Sequence, residues 1–112
     1  MVRYIPSQGD VVLLDLNPVK GHEQSGYRLA VVISNDVFNL NTKMVYVCPV
    51  TSNNKEFPTH YLLEDTKKIS GSVLCEHLRS IDYEMRKMKF VEKLSDNDLL
   101  SVVMLVNACF EN

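Results

Sequence analysis

Short apolar runs separated by polar stretches fill the first ninety or so residues, and a longer periodic segment closes the chain. Val11-Val-Leu-Leu-Asp-Leu16 follows Gly9-Asp10 and has the length and β-branched content of a strand. Leu29 to Ile33 is apolar throughout, which predicts a central strand. Asn35 to Thr42 is polar with two spaced large residues, Phe38 and Leu40, and reads as a helical turn and connection. Met44 to Val50 is a third strand, and Pro49 predicts that it ends or loses a partner there. Thr51 to Pro58 is a loop by composition, and Thr59 to Leu63 reads as a fourth strand. Gly71 to Glu76 and Leu78 to Ile81 read as one long strand with an irregularity near His77-Leu78, and Phe90 to Leu94 as a last short one.

The final element follows a different period. Ser95-Asp-Asn-Asp98 is a capping-box pattern with acids at the positive end of a helix. Leu99, Val102, Val103, Val106, Cys109 and Phe110 then recur at three and four residues and form one apolar face. Leu100, Met104 and Leu105 widen that face, which implies either tight packing or a dimer surface. Five to seven short strands with one terminal helix, and no βαβ alternation, repeat or linker, predict a mainly antiparallel sheet curled into a small barrel. Residues 1–112 are expected to form a single domain.

Composition narrows the classes. Hydrophobic content of 46% and charged content of 23% are those of an ordinary globular protein. No run approaches the roughly 18 apolar residues that span a bilayer, and Met1-Val-Arg-Tyr-Ile-Pro6 lacks a signal-peptide core. A cytoplasmic protein without membrane association is the expectation. Cys48, Cys75 and Cys109 are odd in number, form no Cys-x-x-Cys pair and lie in apolar runs, so all three are expected as buried reduced thiols. His22, His60 and His77 are scattered, which argues against a zinc site. A formal net charge of −2 disfavours a broadly basic nucleic-acid binder but leaves a local basic groove open.

The candidate chemistry lies chiefly in the polar segment between the first two strands. Hairpins usually close in two to five residues, whereas Asn17 to Arg28 is far longer. It carries Lys20, His22, Glu23, Gln24 and Arg28, with Pro18, Gly21 and Gly26 around them. That composition suits a hinged cover over a site; a solvated hairpin is the plain alternative. Arg28, where strand and loop meet, is placed to clamp a phosphate or carboxylate, although a surface ion pair with Glu23 or Asp15 is the common fate of an arginine. Thr51-Ser52 at a strand end offers hydroxyls to a phosphate oxygen. Glu76, His77 and Arg79 put unusual charge density in the long strand, as the wall of a groove would.

These pieces together resemble a known family. Gly9-Asp10, Asp15-x-x-Pro18-x-x-Gly21-His22-Glu23-Gln24-x-Gly26-x-Arg28, Ala30-Val-Val-Ile-Ser34, Pro49-Val-Thr-Ser52 and Glu76-His-Leu-Arg-Ser-Ile-Asp82 are similar to the MazF/PemK (Kid) toxins of type II toxin–antitoxin modules. The resemblance implies a half-open Src-homology-3-like barrel, a homodimer and a cognate antitoxin. It also implies cutting of single-stranded RNA, mRNA above all, without metal or other cofactor, leaving a 2′,3′-cyclic phosphate and a 5′-hydroxyl. By position, Arg28 and Thr51 correspond to the catalytic arginine and threonine, and His22 and Glu23 to the loop histidine and glutamate. Glu76 corresponds to the acidic residue of the distal strand and Arg79 to its basic, positively charged one. Lys20, Gln24, Ser52, Lys55 and His77 complete the expected RNA-binding set. Leu29 stands where most members have proline, His77 where many have glutamine, and Leu74 where some PemK-like members have arginine. The last departure blocks transfer of their acid–base scheme.

Metal-free cleavage makes physical sense with these groups. The RNA 2′-hydroxyl attacks its own phosphate, so the protein must move two protons and stabilise charge. Arg28 suits the last task, worth ~3 kcal/mol for one well-placed donor. Thr51 can hold a non-bridging oxygen, and His22 has the right intrinsic pKa range for proton transfer, with Glu23 or Glu76 as alternatives. Two competing readings are a non-catalytic toxin of the same barrel that poisons a protein such as a topoisomerase, and an RNA-binding barrel without turnover.

Overall fold

A computed structural model describes residues 3–15, 27–53 and 56–112. Seven strands appear among them: β1 (Asp10–Asp15), β2 (Tyr27–Val32), β3 (Met44–Thr51), β4 (His60–Leu62), β5 (Ser72–Leu74), β6 (Arg79–Asp82) and β7 (Lys89–Lys93). Helix α1 spans Asp36–Thr42 and α2 spans Asp96–Ala108. The sheet runs β4-β5-β3-β2-β1-β7, with β6 also paired to β3, and every pairing is antiparallel. The architecture is thus the expected β + α one, a curled antiparallel sheet closed by a C-terminal helix.

The unbroken apolar strands are explained by burial on both faces. Alternation sends Val11, Val31, Ile33, Cys48 and Val50 to one core with Val102 and Val106 of α2. It sends Val12, Leu14, Ala30, Val32, Val45 and Val47 to a second core, closed by Ile81 and Tyr83. β2 lies between β1 and β3, as its composition predicts.

The segment from Gly71 to Ile81 is not one strand. A turn of 3-10 helix over Cys75–His77 separates β5 from β6, and both strands pair with β3 at different points along it. Pro49 does not end β3, which runs on to Thr51 and keeps Pro49 opposite Ala30. The position suits proline because the missing N–H faces the gap where β6 has ended, at Arg79 against Val47, and β5 begins, at Val73 against Val50. The turn also breaks the two-residue alternation that a continuous strand would carry through His77 to Arg79.

α2 begins as its sequence predicts, with the Ser95 hydroxyl accepting from the Asp98 N–H. The Asp98 carboxylate is not part of a reciprocal box. Fully buried, it accepts from the Tyr61 hydroxyl at 2.7 Å and from the Asp65 N–H at 2.9 Å. It also takes the Glu64 N–H at 3.3 Å. Burial, and then the hydrogen bond to Asp98, push the Tyr61 phenol up to about 12. Cys48 and Cys75 are buried thiols, pushed up to about 12 chiefly by desolvation. Cys109 is exposed, contrary to expectation, and so is Phe110, because α2 ends at Ala108 and its buried row stops at Val106. Leu100 and Met104 stay exposed as well, so packing within the chain does not account for the wide apolar face.

Candidate active site

The site forms where the second core runs out. The β2–β3 register sets Val32 against Val47 and Ala30 against Pro49. Continued by two residues, it brings Arg28 opposite Thr51, on the face that Ala30, Val32 and Val47 fill with apolar side chains further along. There the ladder opens into a cleft of about 530 Å³ lined by Arg28, Thr51, Ser52, Asn53, Tyr27 and Ser70, with apolar walls from Leu13, Leu29 and Val50. Arg28 is half-buried on a strand whose next residues are core, so its backbone is fixed while its head faces the cleft. The Thr51 hydroxyl oxygen accepts from the Asn53 N–H at 3.1 Å, which leaves its own O–H to donate.

Thr51 is braced from the β4–β5 side. Gly71 has φ +139°, and a Cβ there would stand 2.4 Å from the Thr51 carbonyl oxygen, so only glycine permits this approach. The preceding turn is pinned by two carboxylates. Asp98 holds the amides of Glu64 and Asp65, and Glu92 accepts from Lys67 at 3.1 Å, Lys68 at 2.7 Å and Ile69 at 3.2 Å. Burial works against the charged form of Glu92, yet those three N–H groups outweigh it and hold its pKa below the usual glutamate value. The turn delivers Ser70 to the cleft wall.

A polar network continues on the Thr51 face. Thr51 pairs with Ser72, Ser72 with Leu62, and Leu74 with His60; alternation puts all of these on one side of the sheet. Glu76, on the 3-10 turn, accepts from the Thr59 hydroxyl at 2.8 Å and lies 2.8 Å from His60 Nε2. Desolvation raises the Glu76 pKa, but its backbone amide, Thr59 and His60 together bring it below the ordinary range.

Of the residues singled out from sequence, Arg28, Thr51 and Ser52 meet in the cleft. Glu76 sits on the 3-10 turn that follows β5, beside His60 of β4. His77 is exposed, with Nε2 3.9 Å from Glu76, and Arg79 is exposed at the start of β6. Lys20, His22, Glu23, Gln24 and Lys55 lie outside the described residues. Sequence reasoning missed Tyr27, Asn53, Ser70 and His60. Tyr27 and Asn53 adjoin Arg28 and Ser52 and were open to guessing; Ser70 and His60 arrive only through strand pairing.

Comparison with known proteins identifies relatives of the chain. Residues 7–110 match the model of the PemK-like, MazF-like toxin of type II toxin–antitoxin systems. The chain is 36% identical over 84 residues to the endoribonuclease toxin MazF of Escherichia coli K12, covering 75% of each chain. It is 38% identical over 100 residues to the endoribonuclease MazF of Staphylococcus saprophyticus, covering 85% of this chain and 82% of that one. Among solved structures, MazF from Deinococcus radiodurans superposes with a TM-score of 0.86 at 33% identity, over 96% of this chain and 98% of that one. A MazE–MazF crystal structure from the same organism gives 0.83 at 29% identity, over 96% and 97%. Family model, sequence relatives and fold therefore converge: the chain belongs to the PemK-like, MazF-like toxin family of type II toxin–antitoxin systems.

Proposed function

We propose that residues 1–112 form one toxin domain that cuts single-stranded RNA, mRNA in particular, at chosen sites without a metal, and so blocks translation and growth. The observation that carries this reading is the meeting of Arg28 and Thr51 in one cleft at the end of the second core. The ribose 2′-oxygen forms a bond to phosphorus as the bond from phosphorus to the 5′-oxygen breaks, giving a 2′,3′-cyclic phosphate and a 5′-hydroxyl. One proton leaves the 2′-hydroxyl and one reaches the 5′-oxygen. Arg28 neutralises the added charge on the phosphoryl oxygens, and the Thr51 O–H donates to one of them. His22 and Glu23 carry the protons. Ser52, Lys20, Gln24, Lys55, Glu76, His77 and Arg79 hold the flanking RNA.

The exposed Leu100 and Met104 on α2 support a homodimer. The MazE–MazF relatives support an antitoxin partner, whose acidic disordered segment would compete with RNA for the same groove. A cytoplasmic location goes with this role, and among the described residues no helix is long and apolar enough to cross a membrane. The test is incubation of the purified protein with a long unstructured transcript in EDTA, followed by mapping of the ends. Discrete cuts with cyclic-phosphate and 5′-hydroxyl ends are expected. An intact transcript beside a folded dimer would favour a non-catalytic toxin instead.

A further inference from the structure

Beyond the cleft stands an aromatic ring that packs against His60 of β4 and stays open to solvent. Phe57 is 57% exposed. Its ring packs against the His60 imidazole with centroids 5.2 Å apart and planes 41° apart. The Phe57 carbonyl accepts from the His60 N–H at 2.9 Å, so the two residues are tied through backbone as well. His60 is itself clamped: its side chain is 17% exposed, and Nε2 sits 2.8 Å from a Glu76 oxygen. Glu76 is steadied by the Thr59 hydroxyl and carried on a turn whose Cys75 is in the core. A phenyl group backed in this way loses little freedom on binding, unlike a ring on an unsupported loop.

Its position relative to the reaction centre follows from register. His60 lies two strands over and two residues along from Thr51, roughly 12 Å by strand spacing and rise. Leu62, also 57% exposed, lies on the same face, directly across Ser72 from Thr51 and two residues along β4 from His60. That span is within reach of a nucleotide neighbouring a scissile phosphate held at Arg28 and Thr51, whose base would meet the Phe57 ring beside His60. Bases unstacked from one another seek an aromatic face.

The geometry points to Phe57 as a stacking platform for an unpaired nucleobase flanking the cleavage site, with His60 and Glu76 as the positioning residues that hold it. This rests on the ribonuclease reading above. It assigns Glu76 a role through His60 and adds two residues, Phe57 and His60, to the RNA groove.

The chain contains no tryptophan, so Phe57→Trp installs a single reporter on the platform. Titrated with a mixed-sequence single-stranded DNA oligonucleotide, which lacks the 2′-hydroxyl and cannot be cut, its fluorescence should be quenched. An abasic oligomer of equal length should leave it unquenched. In RNA cleavage, Phe57→Ala should raise KM about 10- to 100-fold with kcat little changed. Phe57→Trp should keep near-normal KM, and Phe57→Leu should behave like alanine. His60→Ala should raise KM in the same direction, and Ala at both positions should add little to Phe57→Ala alone. Quenching by the abasic oligomer as strong as by DNA, no quenching by either, or a Phe57→Leu variant with normal KM would each overturn the platform. If the wild-type chain cuts no RNA, the ribonuclease reading fails while the quenching still judges the platform. Cutting that is indifferent to Phe57 sinks the platform alone.

Discussion

Two ends of the same sheet use polar side chains in opposite ways. Near the start of α2, polar groups are consumed by the fold: Asp98 is fully buried and accepts from Tyr61, Glu64 and Asp65, and Glu92 accepts from three successive amides. At the end of β2 and β3, Arg28 and Thr51 instead face an open cleft of about 530 Å³. A carboxylate wrapped by N–H groups stabilises the charge it already has. In the proposed reaction, a guanidinium and a hydroxyl facing a cleft meet charge that arrives with substrate and grows in the transition state. The contrast separates residues that hold the cleft from those proposed to act in it, and Gly71 joins the two regions because it presses the pinned turn against Thr51.

Mutations should divide along that line. Arg28→Ala removes the charge-stabilising donor and should lower kcat by roughly two to three orders of magnitude, with the circular dichroism spectrum and melting temperature close to wild type. A normal rate would remove Arg28 from the chemistry and erase the contrast. Asp98→Ala should do the reverse, costing about 3 kcal/mol by leaving the Tyr61 hydroxyl and two amides without their acceptor. Chemical denaturation measures that loss, and kcat measured below the melting range should change far less than in Arg28→Ala.

Gly71→Ala tests the joint between the regions. At φ +139°, with the Thr51 carbonyl in the way, alanine should cost about 2 kcal/mol and also depress kcat through a displaced Thr51. A stability loss with unaltered kcat would show that the bracing does not reach the hydroxyl. The mildest effect is expected from Glu92→Gln. Because the folded-state pKa of Glu92 lies below the unperturbed value of 4.5, its ionised form adds stability above that value and loses it as pH falls through the folded-state pKa. The variant should therefore melt lower than wild type near neutral pH, and the gap should close in acid. A gap of constant size at all pH values would mean that the carboxylate charge is not what holds the turn.

The sequence made much of the fold legible because burial and period are local properties. The apolar run at Val11 marked a strand, the unbroken one at Leu29 marked a central strand, and Ser95 with the three–four spacing after it marked α2 from its first residue. Spacing failed where the chain leaves a regular element. The turn at Cys75–His77 carries ordinary residues, and nothing local distinguishes it from a strand. Cys109 and Phe110 keep the helical period, yet the helix stops before them. Asp98 looked like a capping acid because the sequence does not reveal that the 64–65 turn folds back over it.

For the site, the sequence by itself determined which groups are present: a guanidinium entering a core strand, a hydroxyl leaving one, and a family pattern linking them. Only the tertiary structure decided that they meet, because Arg28 and Thr51 are brought together by the β2–β3 register and not by proximity along the chain. The same holds for Ser70, which reaches the cleft through a glycine contact beside a paired strand, and for His60, which strand pairing sets on the Thr51 face. Such placement depends on which backbone amides pair with which carbonyls across the sheet, and the order of side chains along one strand does not encode that pairing.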